Sequence, residues 1–227
     1  ALNSRTVNNS ANDVTITNAT ATTLGLTLNN DTAGTIADNG SSSKYTTVNV
    51  TSTGKASSGV ALNFGAATAI NFAGDAALTL AGLTAGSAQA IAISGAGGLI
   101  ANVSALTALT DVNASASTGA NTITLDATKA SFEGGAGNDT VVIALDPTKA
   151  VAGGAGTNEL VWNAVGSSYN ASANTHITGF QTLGAGALVS GATLDATGFS
   201  TVHIGAATAG DVTFSNAAAG TALVLDG

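Results

Sequence analysis

Two glycine-rich phrases contain the residues whose types and spacing could do chemistry. Residues 134–142 read GGAGNDTVV, and nineteen positions later residues 153–161 read GGAGTNELV. Glycines allow the backbone to make a tight turn and to point carbonyl oxygens inward, and Asp139 adds a carboxylate at the end of the first turn. Such a turn could bind a cation. A phosphate-binding loop and a hairpin turn can also begin in this way, so the context of the phrases has to separate the three possibilities.

The first phrase fits a known calcium-binding nonapeptide, G-G-x-G-x-D-x-U-x, in which U is apolar. The residues that fit it are Gly134, Gly135, Gly137, Asp139 and Val141. Calcium takes about six to eight oxygen ligands, more than one turn can supply, so the ion would lie between two stacked turns. The residues predicted to contribute to calcium binding are Gly135, Gly137, Asp139, Gly154, Gly156, Asn158 and Asn121.

The second phrase departs from the nonapeptide at one position. It has Asn158 where the pattern has aspartate, and the turn upstream has Asn121 in register but no double glycine. An amide oxygen can still coordinate calcium but carries no charge. We therefore expect one good site that involves Asp139 and a second, poorer one. The alternative is that all these phrases are tight turns that bind no metal.

Phosphate binding and catalysis are both disfavoured by the context of these residues. A P-loop needs Lys followed by Ser or Thr after its glycines and then a helix, whereas here Asp139 would repel a phosphate and an apolar stretch follows. The chain has no G-x-S-x-G sequence, and its acidic residues are scattered. The two histidines, His176 and His203, are interpreted as ordinary surface residues. We predict that the protein is not an enzyme.

The composition favours an all-β protein. Only 8% of the 227 residues are charged and 4% are aromatic, so the long polar side chains of surface helices are scarce, while β-branched and short polar residues favour strands and turns.

The net charge of −8 disfavours nucleic acid and anionic membranes as partners. No apolar stretch of about 18 residues is present to insert into a membrane. The absence of cysteine excludes disulfides and cysteine-type zinc sites.

Internal repeats indicate the architecture. LDATKA at 125–130 recurs as LDPTKA at 145–150, and TGFQTL at 178–183 recurs as TGFSTV at 197–202. Shifts of 19 or 20 residues leave room for two strands of about five residues and two turns, too little for a helix–strand unit with its loops. We therefore predict an all-β fold, a parallel β-solenoid with coils of about 18–20 residues.

The repeat is clearer in some parts of the chain than in others. Residues 113–165 are predicted to form the calcium-binding coils, and residues 166–227 to continue the solenoid. For residues 1–112 a solenoid and an immunoglobulin-like sandwich of short strands both remain open. The first ten residues have no initiator methionine, so we expect the chain to be a segment of a longer protein.

GGAGNDT followed by an apolar stretch, together with TGFQTL and TGFSTV, resembles the RTX-type β-solenoids of Gram-negative exported proteins. The Ala/Thr/Gly/Asn-rich filling and the scarcity of lysine resemble, more specifically, the bacterial surface-layer (S-layer) proteins of that group. This resemblance implies a secreted, extracellular protein of the cell surface that assembles with copies of itself into a calcium-dependent lattice and contacts cell-surface polysaccharide. A solenoid segment of a type I-secreted adhesin and the calcium-binding tail of a secreted hydrolase are the alternatives.

Overall fold

The computed structural model describes residues 13–17, 20–38, 44–171, 174–205 and 208–226, and the backbone of residues 2–5. The described part of the chain is all-β and contains no α-helix. It consequently has no helix that is long and apolar enough to cross a membrane. In chain order the strands are β1 (Leu2–Arg5), β2 (Val14–Ile16), β3 (Thr23–Leu28), β4 (Gly34–Asp38), β5 (Thr47–Ser52), β6 (Ser57–Asn63), β7 (Ala69–Gly74), β8 (Leu78–Thr84), β9 (Ala90–Gly95), β10 (Leu99–Asn102), β11 (Asp111–Ser117), β12 (Thr122–Thr124), β13 (Ser131–Glu133), β14 (Thr140–Ile143), β15 (Val151–Ala152), β16 (Glu159–Trp162), β17 (Ile177–Thr178), β18 (Thr182–Ala185), β19 (Ala192–Asp195), β20 (Thr201–Ile204), β21 (Val212–Ser215) and β22 (Ala222–Leu225).

The strands form two long parallel sheets and one short one. The odd-numbered strands from β1 to β17 form a nine-stranded sheet, and the even-numbered strands from β2 to β22 form an eleven-stranded sheet. The remaining strands, β19 and β21, form a two-stranded sheet. The two long sheets run through all three segments that the sequence pattern distinguishes.

Alternation between the two long sheets makes the chain a solenoid. As far as β18, each coil contributes one strand to each long sheet and then continues, through a turn, to the next coil; beyond it the coils contribute β19 and β21 to the short sheet instead, and about ten coils are stacked in all. Adjacent strands in such a stack lie about 4.8 Å apart. The predicted parallel β-solenoid is confirmed. In the N-terminal segment the described strands from β3 onward are paired in parallel, which an antiparallel sandwich would not show.

The coils have the predicted length where the sequence repeats are found and are longer elsewhere. Val112 pairs with Phe132 and Phe132 with Val151, which are shifts of 20 and 19 residues. Leu160 pairs with Leu183, a shift of 23 residues. Since the strands themselves stay short, the additional residues lie in the connections between the strands. A solenoid tolerates this variation because it requires equal spacing of strands and not equal length of turns.

The core is a column of apolar side chains between the two long sheets. Ile123, Val141, Leu160 and Leu183 occupy the same register position in four consecutive strands of the eleven-stranded sheet, and each is 0% exposed. Successive residues of a strand point to opposite faces, so the apolar–polar alternation of the sequence places one face in the core. Trp162 also lies in this core and donates its indole N–H to the carbonyl oxygen of Ser167 at 2.9 Å.

Two adjacent valines of β14 provide a test of this arrangement. Val141 is fully buried, whereas Val142 faces outward and is partly exposed. Replacing Val141 with alanine should lower the free energy of unfolding by about 2–3 kcal/mol, because it removes buried methyl groups and leaves a cavity. Val142→Ala is the matched control and should cost less than about 1 kcal/mol. Equilibrium denaturant unfolding of both variants measures the difference, and equal losses would contradict the assigned register.

Candidate functional site

The two glycine-rich phrases form stacked turns on one edge of the solenoid. Residues 134–139 connect β13 with β14, and residues 153–158 connect β15 with β16. The N–H group of Ala155 donates to the carbonyl oxygen of Gly135 at 2.8 Å, so the second turn lies directly on the first. A third turn, at residues 118–121 between β11 and β12, precedes them in the same stack. The three turns are therefore in the register expected from their sequences.

Close stacking of the turns accounts for several of the repeated glycines. A Cβ at Gly154 would lie 2.5 Å from the carbonyl oxygen of Gly135, and a Cβ at Gly156 would lie 2.5 Å from the carbonyl oxygen of Gly137. At Gly134 a Cβ would collide with the next turn, at the carbonyl oxygen of Gly153. Any side chain at these positions would force the coils apart. The double glycines are thus a requirement of the turn stack itself, whether or not a metal binds.

A continuous row of polar side chains, here called the polar ladder, runs along the inside of the turn stack. Each side-chain oxygen of the ladder accepts the backbone N–H group of the residue at the equivalent position one coil earlier. The bonds run from the N–H of Leu99 to Oδ1 of Asn121 (3.0 Å), from Asn121 to Oδ1 of Asp139 (2.9 Å), from Asp139 to Oδ1 of Asn158 (2.8 Å) and from Asn158 to Oε1 of Gln181 (2.7 Å). The ladder therefore links five consecutive coils.

Three of the four ladder side chains are buried, and the two amides among these three also donate hydrogen bonds. Asn121 and Asp139 are each 1% exposed and Asn158 is 0% exposed. Nδ2 of Asn121 donates to Oδ1 of Asp139 at 2.8 Å, and Nδ2 of Asn158 donates to the carbonyl oxygens of Ala155 (3.0 Å) and Gly179 (2.9 Å). Since polar groups in a protein interior are costly unless they are paired, these bonds are what allows the ladder to be buried.

Asp139 and Asn158 occupy equivalent ladder positions, but the backbones of their turns have different conformations. Oδ2 of Asp139 accepts the N–H group of Gly135 at 3.0 Å, within its own turn. Asn158 presents Nδ2 there, and an amide NH₂ group cannot accept a hydrogen bond from an N–H group. In that second turn Gly154 and Gly156 have φ values of 78° and 82°, whereas Gly135 and the third glycine of the first phrase do not have positive φ. The two phrases are similar in sequence but not in backbone conformation.

The residues predicted to bind calcium all lie in these three consecutive turns. However, the oxygens of the three side chains among them accept N–H groups, and the carbonyl oxygen of Gly135 accepts the N–H group of Ala155. Calcium requires oxygens that converge on one point. In the described arrangement these four oxygens accept N–H groups. The described residues do not contain a cluster of three or more His, Cys, Asp or Glu side chains that could hold a metal ion.

Comparison with known proteins does not place the chain in a family. No protein-family model matches the sequence, and no curated protein matches it. The resemblance to RTX-type and surface-layer solenoids therefore rests on the glycine-rich phrases, the TGF repeats and the composition.

Sequence reasoning missed a second group of polar residues. His203 does not stand alone on the surface, because its imidazole lies between the carboxylates of Glu159 and Asp226. A usable signal is present in the repeats. The alignment of TGFQTL with TGFSTV places Gly184 and His203 at the same position in neighbouring coils, as the strand register also does. The contact with Glu159 skips the strand that carries Gly184, and a sequence pattern does not show this.

Neighbouring residues of the first turn test the contribution of the polar ladder to stability. Asp139→Ala leaves the buried N–H groups of Asn121 and Gly135 without an acceptor, so it should lower the free energy of unfolding by about 2–4 kcal/mol. The control is Asn138→Ala. The exposed Oδ1 of Asn138 accepts the N–H group of Thr157 at 2.8 Å, and water can replace it, so this variant should lose less than about 1 kcal/mol. Denaturant unfolding with chelator present measures both; similar losses would argue against the ladder.

Proposed function

We propose that this chain is a structural component of a bacterial surface layer, secreted to the cell surface and self-assembling with copies of itself into a lattice that calcium stabilises. The observation that carries the proposal is the stacking of two RTX-like glycine-rich phrases in consecutive coils of a parallel solenoid. A solenoid is bonded from coil to coil along its length and has two broad sheet faces, which suits a protein that works by packing against copies of itself. The fold alone is compatible with other functions.

The net charge of the chain is compatible with protein copies and cell-surface polysaccharide as partners. The net charge of −8 and the presence of only five Lys and Arg residues disfavour nucleic acid and anionic lipid as ligands. We propose cell-surface polysaccharide, an uncharged or calcium-bridged polymer, as the anchoring partner, and a structural rather than a catalytic role. A solenoid segment of a type I-secreted adhesin or the calcium-binding tail of a secreted hydrolase would use the same coils and would differ in not forming a lattice.

We expect calcium binding to rearrange the two glycine-rich turns. Asp139 would have to exchange the N–H groups of Asn121 and Gly135 for the ion, and the glycine carbonyl groups of both phrases would have to turn toward it. At the second turn Nδ2 of Asn158 contacts two carbonyl oxygens, which are of the ligand type that calcium prefers. A carboxylate at position 158 would face these carbonyl oxygens with no hydrogen to share. Asn158→Asp would also complete the nonapeptide in the second phrase.

Thermal unfolding of the wild-type protein, Asp139→Asn and Asn158→Asp, with calcium and with chelator, tests whether calcium binds at these turns. Calcium at about 100 times its dissociation constant should raise the Tm of the wild-type protein by roughly 5–10 °C, because a ligand that binds only the folded state stabilises it. Asp139→Asn should reduce this shift, since it removes the charged ligand. Asn158→Asp should be less stable than the wild type in chelator and should show the largest calcium-dependent shift. Magnesium serves as the control ion, because it demands a tighter octahedral shell.

If calcium leaves the Tm of all three proteins unchanged, the calcium component is wrong and the polar ladder holds these turns without metal. If calcium stabilises the wild type and Asp139→Asn equally, calcium binds elsewhere on the protein. Both outcomes leave the lattice to be tested separately.

Negative-stain imaging tests the lattice. With calcium we expect ordered two-dimensional sheets, and with chelator we expect these sheets to disappear. Asp139→Asn examined in calcium is the matched control and should form fewer or smaller sheets than the wild type. A monodisperse monomer in both conditions would contradict a lattice-forming role for this chain and would favour the adhesin segment or the hydrolase tail.

A further inference from the structure

Three ionisable side chains from three coils meet on the outer face of the eleven-stranded sheet. Glu159 lies on β16, His203 lies on β20, and Asp226 directly follows β22. Nδ1 of His203 is 2.5 Å from Oε1 of Glu159, and Nε2 of His203 is 3.0 Å from Oδ2 of Asp226. Each nitrogen of the imidazole therefore faces its own carboxylate.

A glycine on the strand between β16 and β20 makes the contact possible. Gly184 of β18 pairs with Val161 on one side and with His203 on the other, and it has no side chain to fill the space above the sheet. A Cβ at this position would collide with Oε1 of Glu159. The carboxylate of Glu159 consequently extends past β18 to His203 on β20, so the contact joins strands that are not adjacent.

The protonated imidazole satisfies this arrangement better than the neutral one. Imidazolium has two N–H donors, one for each carboxylate, whereas neutral imidazole has a single donor and would turn a lone pair toward the second carboxylate. The side chains of His203 and Glu159 are each 21% exposed, so water competes only partly for their hydrogen bonds, while that of Asp226 is 65% exposed.

The surroundings raise the pKa of His203 above its ordinary value. Burial by itself lowers the pKa of this imidazole, but the hydrogen bonds to Glu159 and Asp226, together with their negative charges, outweigh the effect of burial. On the neighbouring strands β18 and β22 the residues in register with His203 are Gly184 and Val224, which carry no charge. Among the described residues, Glu159 and Asp226 are thus the charged groups that face the imidazole.

We propose that Glu159, His203 and Asp226 form a pH-sensitive clamp that fastens the coil containing β22 to β16 and β20 while the imidazole is protonated. The clamp contains none of the residues predicted to bind calcium, so it goes beyond the proposed function and does not depend on it. Its contribution to stability is complete below the pKa of an unfolded histidine, about 6.5, as long as both carboxylates are ionised. It is lost as the pH rises through the higher pKa of the folded state.

The strand β22 is the element that such a clamp affects most. Its backbone pairs with β20, and the N–H group of Asp226 donates to the carbonyl oxygen of Ile204 at 3.1 Å. Within residues 1–227, the chain that the experiments below use, Leu223 and Leu225 are 61% and 64% exposed, so apolar burial contributes little to holding this strand there. Elements with few buried contacts open locally at low cost. Loss of the clamp should therefore increase the opening of β22 before it affects the rest of the solenoid.

Proton NMR of the imidazole Cε1–H signals, with chelator present, tests the clamp. The chain has two histidines, so comparison with His203→Gln assigns the signal of His203. We expect its titration midpoint to lie above about 6.5 in the wild type and to move to lower pH in Glu159→Gln. Gly184→Ala keeps all three ionisable groups but displaces the carboxylate of Glu159, so it should lower the midpoint as well. A wild-type midpoint at or below about 6.5, or one that neither variant changes, would overturn the proposal.

Hydrogen exchange gives a readout that a merely structural contact would not show. Protection factors of residues 222–226, corrected for the intrinsic pH dependence of exchange, should fall several-fold between about pH 6 and about pH 8.5 in the wild type. In His203→Gln they should be equally low at both pH values, because glutamine does not titrate. Residues 140–143 of β14 are the internal control and should keep their protection. Wild-type protection of β22 that does not change with pH would refute the clamp.

Discussion

A residue of a strand has an equivalent neighbour in the next coil, about 4.8 Å away, because the strands of both long sheets are hydrogen-bonded in parallel. The rest of the molecule depends on this spacing. Apolar residues at one position form a core column, polar residues at one position form a ladder, and turns at one edge must fit one above another. A substitution is therefore felt by the coils on both sides as well as by its own.

The stacked glycine-rich turns show how strictly this spacing limits which residues fit. The backbones of stacked turns approach so closely that Gly154 and Gly156 have no space for a Cβ. Close approach also buries the N–H groups at the ends of the turns, and these need acceptors. The side chains of the polar ladder supply the acceptors from one coil away. Glycines and ladder residues thus have a common cause, since the glycines allow the turns to approach and the ladder satisfies the polar groups that the approach buries.

The fold could be predicted because the period of a solenoid is a property of the sequence. The recurrence of the TGF phrase after nineteen residues corresponds to the pairing of Leu183 with Val202. The direction of the side chain of Asp139 could not be read in the same way. It depends on which hydrogen-bonding groups the adjacent turns present, and a residue type does not specify this. The contact between Glu159 and His203 could not be predicted either, because it depends on the space above Gly184.

In the calcium-bound state proposed above, the ion would take oxygens that the polar ladder uses, and the replacement of aspartate by asparagine at position 158 shows how the two states differ. A carboxylate only accepts hydrogen bonds, so Asp139 can take either N–H groups or a cation. An amide both accepts and donates, and Asn158 uses Nδ2 to donate to two carbonyl oxygens. At that position the NH₂ group provides the oxygens with hydrogen-bond donors, whereas a cation would provide them with a positive charge. An amide ladder is thus complete without metal, whereas each aspartate placed in it adds a charge that a cation can neutralise. On the calcium binding proposed above, the number of aspartates along such a ladder would set how much negative charge is available to the ion.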